Sequence, residues 1–317
     1  MNVLVTAIAG DIGNGVGRIL KSCEFLGKLI GCDIHDEHMG AYVFDHCAIV
    51  PRASANGYIE ALRSLVERHC IDAVVVTSEP ELRLFSDIAN KGQKVDLPLV
   101  LANQMAMVIG FDKLKTAEFI ASIGCAAPWT IAIEKGDPKT FPCILKQRFG
   151  AGGQGVFIVK EPGLIKPYRA IFNDYVWQEF IPDDNNEYTC GVYGCADGEI
   201  RTIVFRRRLV SGVTGYAELV ENRGIDALCR KIASALNLKG SINIQLRTSV
   251  SGSLVFEINP RFSSTVVFRH KLGFTDLLWS IQEQIQGNTI SSYSIGFPAG
   301  SKMYRTFDEI IRSAADV

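Results

Sequence analysis

Near the C-terminus, in FEINPR (256–261), a carboxylate, Glu257, stands two residues before an amide, Asn259. On a β-strand residues i and i+2 share a face, so the two side chains aim their oxygens into one space. If INIQLRTSVSGSLVFEIN is a hairpin centred on Ser251, Gln245 falls across from Glu257. Directly opposed residues share a face as well. Gln245, Glu257 and Asn259 then form a set of oxygen ligands with one formal negative charge. Such a set is poor for zinc and suits Mg²⁺ that is also held by phosphate oxygens. The alternative is a surface strand with ordinary polar residues.

A second stretch points to phosphate. Gly150, Gly152, Gly153 and Gly155 lie close together in FGAGGQG (149–155). Closely spaced glycines let backbone N–H groups approach phosphate oxygens without Cβ obstruction. The spacing is not that of a GxxxxGK[ST] loop, and a strand follows where that motif has a helix. A phosphate lid between two strands is expected, against a simple flexible hairpin turn. Lys146, at the end of an apolar strand just before the loop, either snorkels to solvent or reaches for phosphate.

Elements must position these groups. Over residues 1–110, apolar runs at 3–8, 28–34, 73–77 and 97–102 alternate with helical spacing. Ser78 with Glu81 reads as a capping box that opens one of the helices. This alternation predicts a parallel sheet with helices on its faces. The character changes near Gly110. A helix over 111–124 is followed by strands at 141–147, 156–160 and 175–181, and EYTCGVYG pairs with EIRTIVFRRRL around Asp197-Gly198. A helix through Ile225, Leu228, Ile232 and Leu236, strands at 241–247 and 253–259, and a helix from Thr275 to Gly287 complete an antiparallel α+β half.

Composition narrows the function classes. The 317 residues carry 33 basic and 34 acidic side chains, leaving no sequence-wide positive field to collect nucleic acid. No apolar run approaches the roughly 20 residues of a membrane span, and MNVLVTAIAG reads as a buried strand instead of a signal peptide. Nine cysteines without a CxxC, in a chain that is 47% hydrophobic, fit small core residues in a reducing, cytoplasmic protein. A homodimer is the prior for oligomeric state.

In order along the chain, Asp112-Lys113, ILKQ with Lys146, GAGGQGV, WQEFI, EYT, INIQ and FEINPR resemble the ATP-grasp superfamily. Within it, they resemble the branch holding the carbamoyl phosphate synthetase large subunit and its single-module relatives. The resemblance runs from about Phe111 to Gly287. It implies an N-terminal Rossmann-like pre-ATP-grasp domain (1–110) and a two-subdomain ATP-grasp fold, with a small lid subdomain (111–180) and a C-terminal subdomain bearing the metal site (181–317). It implies that Lys113 and Lys146 contact ATP, and that Gly152, Gly153 and Gly155 cover the triphosphate. Gln178, Glu179, Phe180 and Ile181 would meet the adenine edge, and Glu187 the ribose hydroxyls. Gln245, Glu257 and Asn259 would hold Mg²⁺ (Mn²⁺ as substitute), and Arg261 would neutralise the γ-phosphate or the acyl phosphate made from it. Two plainer readings stay open: Glu187 as a surface strand residue and Lys113 as a first-turn helix residue. Gln245 stands where many relatives carry Glu, which weakens the case for a second ion.

The implied activity is an ADP-forming carboxylate–amine ligase acting on small molecules. An ATP-dependent kinase of a small carboxylate or sugar acid is the alternative within this class. In FRRRL (205–209), Arg206 and Arg208 share a strand face and Arg207 points the other way. Arg208 is expected to face the acceptor and act in catalysis, with Arg206 beside it; the alternative is a solvated basic strand end. Gly13, in AGDIGNGVG, follows a strand and opens a helix, and such a turn borders the acceptor in ATP-grasp relatives. With Asp33 twenty residues on, the turn also mimics a dinucleotide fingerprint. An NAD-binding oxidoreductase is therefore a competing reading, although the G-x-G-x-G spacing departs from GxGxxG. His35 and His38 are expected to be solvent-exposed loop residues, and Asp183 and Asp184 to cap a turn after the hinge.

Overall fold

A computed structural model describes residues 1–150, 155–182, 186–249 and 252–306. The N-terminal third alternates strand and helix as its apolar pattern demands. It comprises β1 (Val3–Thr6), α1 (Asp11–Lys21), β2 (Leu29–Asp33), β3 (His46–Ile49), α2 (Tyr58–His69), β4 (Ala73–Val75), α3 (Glu79–Asn90) and β5 (Leu99–Val100). The strands are parallel, in the order β3-β2-β1-β4-β5. The chain runs outward from β1 to β3, then returns to lay β4 on the other side of β1. This reversal opens a crevice at the carboxyl ends of β1 and β4.

The inner strands β1, β2 and β4 are buried on both faces, so their sequences are almost continuously apolar. Leu4, Ile30 and Val74 enter one core with α2, α3 and three later helices. Val3, Val5 and Val75 enter another with α1 and two helices from the far end of the chain. The expected capping box is present: the Ser78 side chain and Glu81 close the first turn of α3 on each other.

After α4 (Gln104–Gly110) and α5 (Lys113–Ser122) comes a small antiparallel sheet. Its strands are β6 (Thr130–Ala132), β7 (Cys143–Gln147), β8 (Phe157–Val159) and β9 (Tyr175–Glu179), in the order β6-β9-β7-β8, with α6 (Ile165–Ile171) before β9. The larger sheet is built from β10 (Glu187–Gly194), β11 (Ile200–Val210), β12 (Val213–Leu219), β13 (Gly240–Ser249), β14 (Gly252–Asn259) and β15 (Lys302–Tyr304). Its order is β14-β13-β10-β11-β12-β15, antiparallel throughout. α7 (Arg223–Ala235) packs on one face through Ile225, Cys229 and Ile232. α8 (Val266–Lys271) and α9 (Asp276–Gln284) sit between this part and the N-terminal sheet, where Val266, Leu277 and Ile281 join the core under β1. Strands β3, β6, β12 and β15 and helices α4, α6 and α8 have no counterpart in the sequence reading.

Among the described residues no helix is long and apolar enough to cross a membrane.

Candidate functional site

A cavity of about 810 Å³ lies where the three sheets meet. The loops after β1 and β4 form one wall, the small sheet the second, and β11, β13 and β14 the floor.

The hairpin β13–β14 sets the floor. Gln245 pairs with Glu257, and Asn243 with Asn259. The expected opposition of Gln245 and Glu257 is present, but a symmetric hairpin does not produce it. At the turn Ser249 pairs with Gly252, a register that alone would put Phe256 across from Gln245. A β-bulge between the Gln245 and Leu246 pairings inserts Phe256 and shifts the register by one. As a result the consecutive residues Phe256 and Glu257 both line the cavity, which regular strand alternation forbids.

Glu257 is surrounded by cations. Lys113 lies 3.7 Å away and also donates to the Gly150 carbonyl at 2.5 Å. Burial alone would raise the pKa of Glu257, but Lys113, Lys146 and Arg261 together hold it below the usual value. Lys146, on β7, is the converse case. Burial lowers its pKa to about 8, against a smaller upward pull from Glu257. Lys113 is fixed from behind: Asp112 N-caps α5 and receives a two-pronged contact from Arg148, at 2.9 and 2.7 Å. Since Lys113 N–H donates to the Arg148 carbonyl, this clamp ties the start of the glycine loop to the start of α5.

A second network crosses the floor. Glu187 accepts from Arg207 at 2.8 Å through one oxygen and from Arg247 at 2.7 Å through the other. Arg207 continues to Gln245 Oε1 at 2.8 Å, and Arg247 to the Ile181 carbonyl at 2.6 Å. Four buried or half-buried side chains thus link the end of β9 to the candidate metal ligands.

The cavity brings together most of the expected residues. Lys113, Lys146, Gln178, Glu179 and Ile181 line it, as do Gln245, Glu257, Asn259 and Arg261, with Gly13 on the N-terminal wall. Gly13 has no alternative there, because an added Cβ would stand 2.3 Å from the Ala7 carbonyl oxygen. Gly152, Gly153, Asp183 and Asp184 lie outside the described residues. Gly155, at φ +66 and under the Tyr175 hydroxyl, flanks the loop without lining the cavity, and Phe180 does not line it either.

Three expectations need correction. Arg208 is exposed, with its guanidinium over the Tyr216 ring at 4.8 Å. Arg206 pairs with Glu218 at 2.7 Å. Neither lines the cavity; Arg207 does. The alternation was read correctly, but the face was misassigned. Both faces of β11 are packed, Val204 toward α7 and Phe205 toward α9, so the pattern carries no sign of which is which. Glu187 does not line the cavity, and both of its oxygens are held by arginines, so it supports the floor and is not open to ribose. Asp33, the residue behind the dinucleotide reading, spends its carboxylate on the Ala9 and Ile34 N–H groups at 2.8 and 2.7 Å. It closes the turn after β1. His38 caps a 3₁₀ turn by accepting from Gly40 N–H at 2.9 Å, while His35 is half-exposed beside Asp33.

Sequence reasoning also missed Arg247 and Phe256 on the floor, and Asp11 and Glu79 on the N-terminal wall. Asp11 and Glu79 follow β1 and β4 directly, and the position of loops at the carboxyl ends of parallel strands was the available signal.

This architecture has known counterparts. Residues 172–291 match the family described as "ATP-grasp in the biosynthetic pathway with Ter operon". A carbamoyl-phosphate synthase of Methanobrevibacter smithii is 27% identical over 158 residues, which is 47% of this chain and 41% of that one. The ADP complex of N5-carboxyaminoimidazole ribonucleotide synthetase from Staphylococcus aureus superposes with a TM-score of 0.70 at 14% identity, covering 93% of this chain and 80% of that one. Biotin carboxylase from Campylobacter jejuni, in complex with an ATP analogue, gives 0.69 at 15%, covering 92% and 73%. The chain has the ATP-grasp fold. It spans less than half the length of the carbamoyl-phosphate synthase that it resembles.

Proposed function

We propose that the chain is an ATP- and Mg²⁺-dependent, ADP-forming ligase that activates a small carboxylic acid as an acyl phosphate and passes it to an amine. The observation that carries this reading is the convergence of Lys113, Lys146 and Arg261 around an ionised Glu257 inside one cavity of an ATP-grasp fold. In this reading residues 1–110 form a Rossmann-like domain that supplies the acceptor wall, residues 111–180 the lid and residues 181–317 the metal-bearing part. The free thiols of the described cysteines agree with a reducing, cytoplasmic setting.

Lys113 and Lys146 meet the phosphates, with Gln178, Glu179 and the Phe180–Ile181 backbone at the base. Gly152, Gly153 and Gly155 would cover the triphosphate in this reading. Gln245, Glu257 and Asn259 offer hard oxygens and one ionised carboxylate, a donor set that fits Mg²⁺ or Mn²⁺. A bound divalent ion would screen the phosphates and stabilise charge on the transferring group. Arg207 fixes Gln245 from one side, and Arg261 fixes Asn259 by donating to its Oδ1 at 3.1 Å.

In the first step a carboxylate oxygen attacks the γ-phosphorus, and the bond from that phosphorus to the bridging oxygen breaks toward ADP. In the second step the amine lone pair attacks the acyl carbon, phosphate leaves with the C–O electron pair, and the amine loses a proton. Arg261 stands where both steps gather negative charge.

The test is ADP release from ATP over a panel of carboxylic acids and amines. Glu257→Gln keeps the shape and removes the formal charge, and it is expected to lower the rate by about 10²–10³-fold. Near-normal turnover in that variant would contradict the assignment.

A further inference from the structure

We propose that the acid activated in this cavity carries an ammonium group, so that the substrate is an amino acid or similar zwitterion, with Glu79 receiving the ammonium and Arg261 the carboxylate. The inference rests on the ligase reading above and narrows its substrate class.

The argument starts from the crevice between the β1 and β4 loops, where an open parallel sheet places its ligands. Glu79 opens α3 on the β4 side and lines the cavity. Its carboxylate has no hydrogen-bond or ion-pair partner among the described residues. Arg83, one turn along the same helix, lies over the Phe149 ring at 4.7 Å. Burial raises the pKa of Glu79, and the strongest charge acting against that is Arg261. An acidic and a basic side chain therefore line one cavity, each within electrostatic reach of the other.

On the β1 side, Asp11 adds a second carboxylate to the same wall. One of its oxygens is held by Arg305, while the other is buried without a partner among the described residues. Ile12, Leu209 and Val213 line the space beside these groups and offer an apolar surface to a side chain.

The charge pattern discriminates between acids. A carboxylate docked at Arg261 also faces Glu79, Glu257 and the triphosphate. An acid with no positive group adds a like charge to a partly desolvated anionic wall, which is strongly disfavoured. An ammonium a few bonds from the carboxylate reverses that term by giving Glu79 the cation it lacks. At about 810 Å³ the cavity is near the upper end of single-ligand sites, roughly 300–1,000 Å³, leaving room for a nucleotide and one small molecule.

The experiment measures ADP release with ATP and Mg²⁺ over the standard α-amino acids and, in parallel, the same acids with hydrogen in place of the amino group, both series with the same panel of added amines as nucleophiles. Nucleotide-dependent thermal stabilisation is recorded on each protein. Turnover confined to amino acids is expected. Glu79→Gln should raise the KM of the amino acid about ten- to hundredfold and leave that of ATP within twofold, with Glu79→Asp recovering part of the loss. Equal turnover of the deaminated acids, or an unchanged amino-acid KM in Glu79→Gln, overturns the proposal and leaves the ligase reading standing. No ADP from either series also overturns it, and if nucleotide stabilisation is absent as well the ligase reading falls with it.

Discussion

Lys146 makes two opposite pH dependences from one group. The residue is 8% exposed, and burial lowers its pKa from an ordinary 10.5 to about 8. In the unfolded chain the group keeps its proton up to 10.5, so between pH 8 and 10.5 the unfolded state binds more protons. Stability from this group therefore rises with pH across that window. Below pH 8 the buried charge opposes folding by about 3 kcal/mol, and above 10.5 that penalty is gone. Nucleotide affinity has the other sign. If Lys146 meets phosphate as an ammonium, binding above pH 8 requires proton uptake, and affinity falls toward a limit of about tenfold per pH unit. The measurement is titration calorimetry of a metal-free ATP analogue in EDTA from pH 7 to 9.5, in buffers of differing ionisation heat, on the wild type and Lys146→Met. Chemical denaturation over pH 7 to 10.5 accompanies it. The buried thiols Cys143 and Cys195 are pushed up from an ordinary 9.0 to about 11 and about 12, so unfolding releases their protons above pH 9 and lowers stability in the same window; the wild-type-minus-variant difference therefore carries the result. Wild-type affinity that stays flat from pH 7.5 to 9.5, or an equal slope in the variant, would show that Lys146 does not meet phosphate as an ammonium.

Two further outcomes follow from the floor network. Arg207→Met should lower kcat/KM for the acid about ten- to hundredfold, because it frees Gln245 and unbalances Glu187, whereas Arg208→Ala should stay within twofold in steady-state kinetics. A larger effect at Arg208 would reverse the assignment of the β11 faces. Glu187→Gln takes away the carboxylate charge that Arg207, at 7% exposure, and Arg247, at 24%, share. It should cost about 3–5 kcal/mol in chemical denaturation, toward the lower end because Arg247 reaches water; an unshifted unfolding midpoint would count against the network.

The parts of this molecule legible in its sequence are those where one residue type has one use. Continuous apolar runs mark strands buried on both faces, and Ser78 with Glu81 marks a helix start. The oxygen-rich hairpin stands out because amides and carboxylates at i, i+2 spacing have little reason to alternate with apolar residues otherwise. The short edge strand β15 was not legible, since three half-exposed residues carry no dominant period, and the burial of β12 follows no regular alternation. Arg207 was missed for a related reason. Where a strand is buried on both sides, alternation separates its faces without naming them. Glu187 shows another limit: a carboxylate that binds a ligand and one that holds two arginines look alike until the partners are known.

The bulge at Phe256 shows why sequence symmetry can mislead even when its answer holds. A regular pairing from the Ser249–Gly252 turn would put Phe256 opposite Gln245 and leave Glu257 one place further along β14. Alternation would then send Phe256 and Glu257 to opposite sides of the sheet. The inserted residue brings both to the cavity, so the Phe256 ring lies within 5.7 Å of Lys146 and of Arg247 while Glu257 faces Lys113. One side chain supplies an apolar wall that keeps Lys146 desolvated, and its neighbour supplies the charge that keeps Lys146 partly protonated. The unusual pKa of Lys146 and the convergence of oxygens at Glu257 are therefore two consequences of a single extra residue in β14.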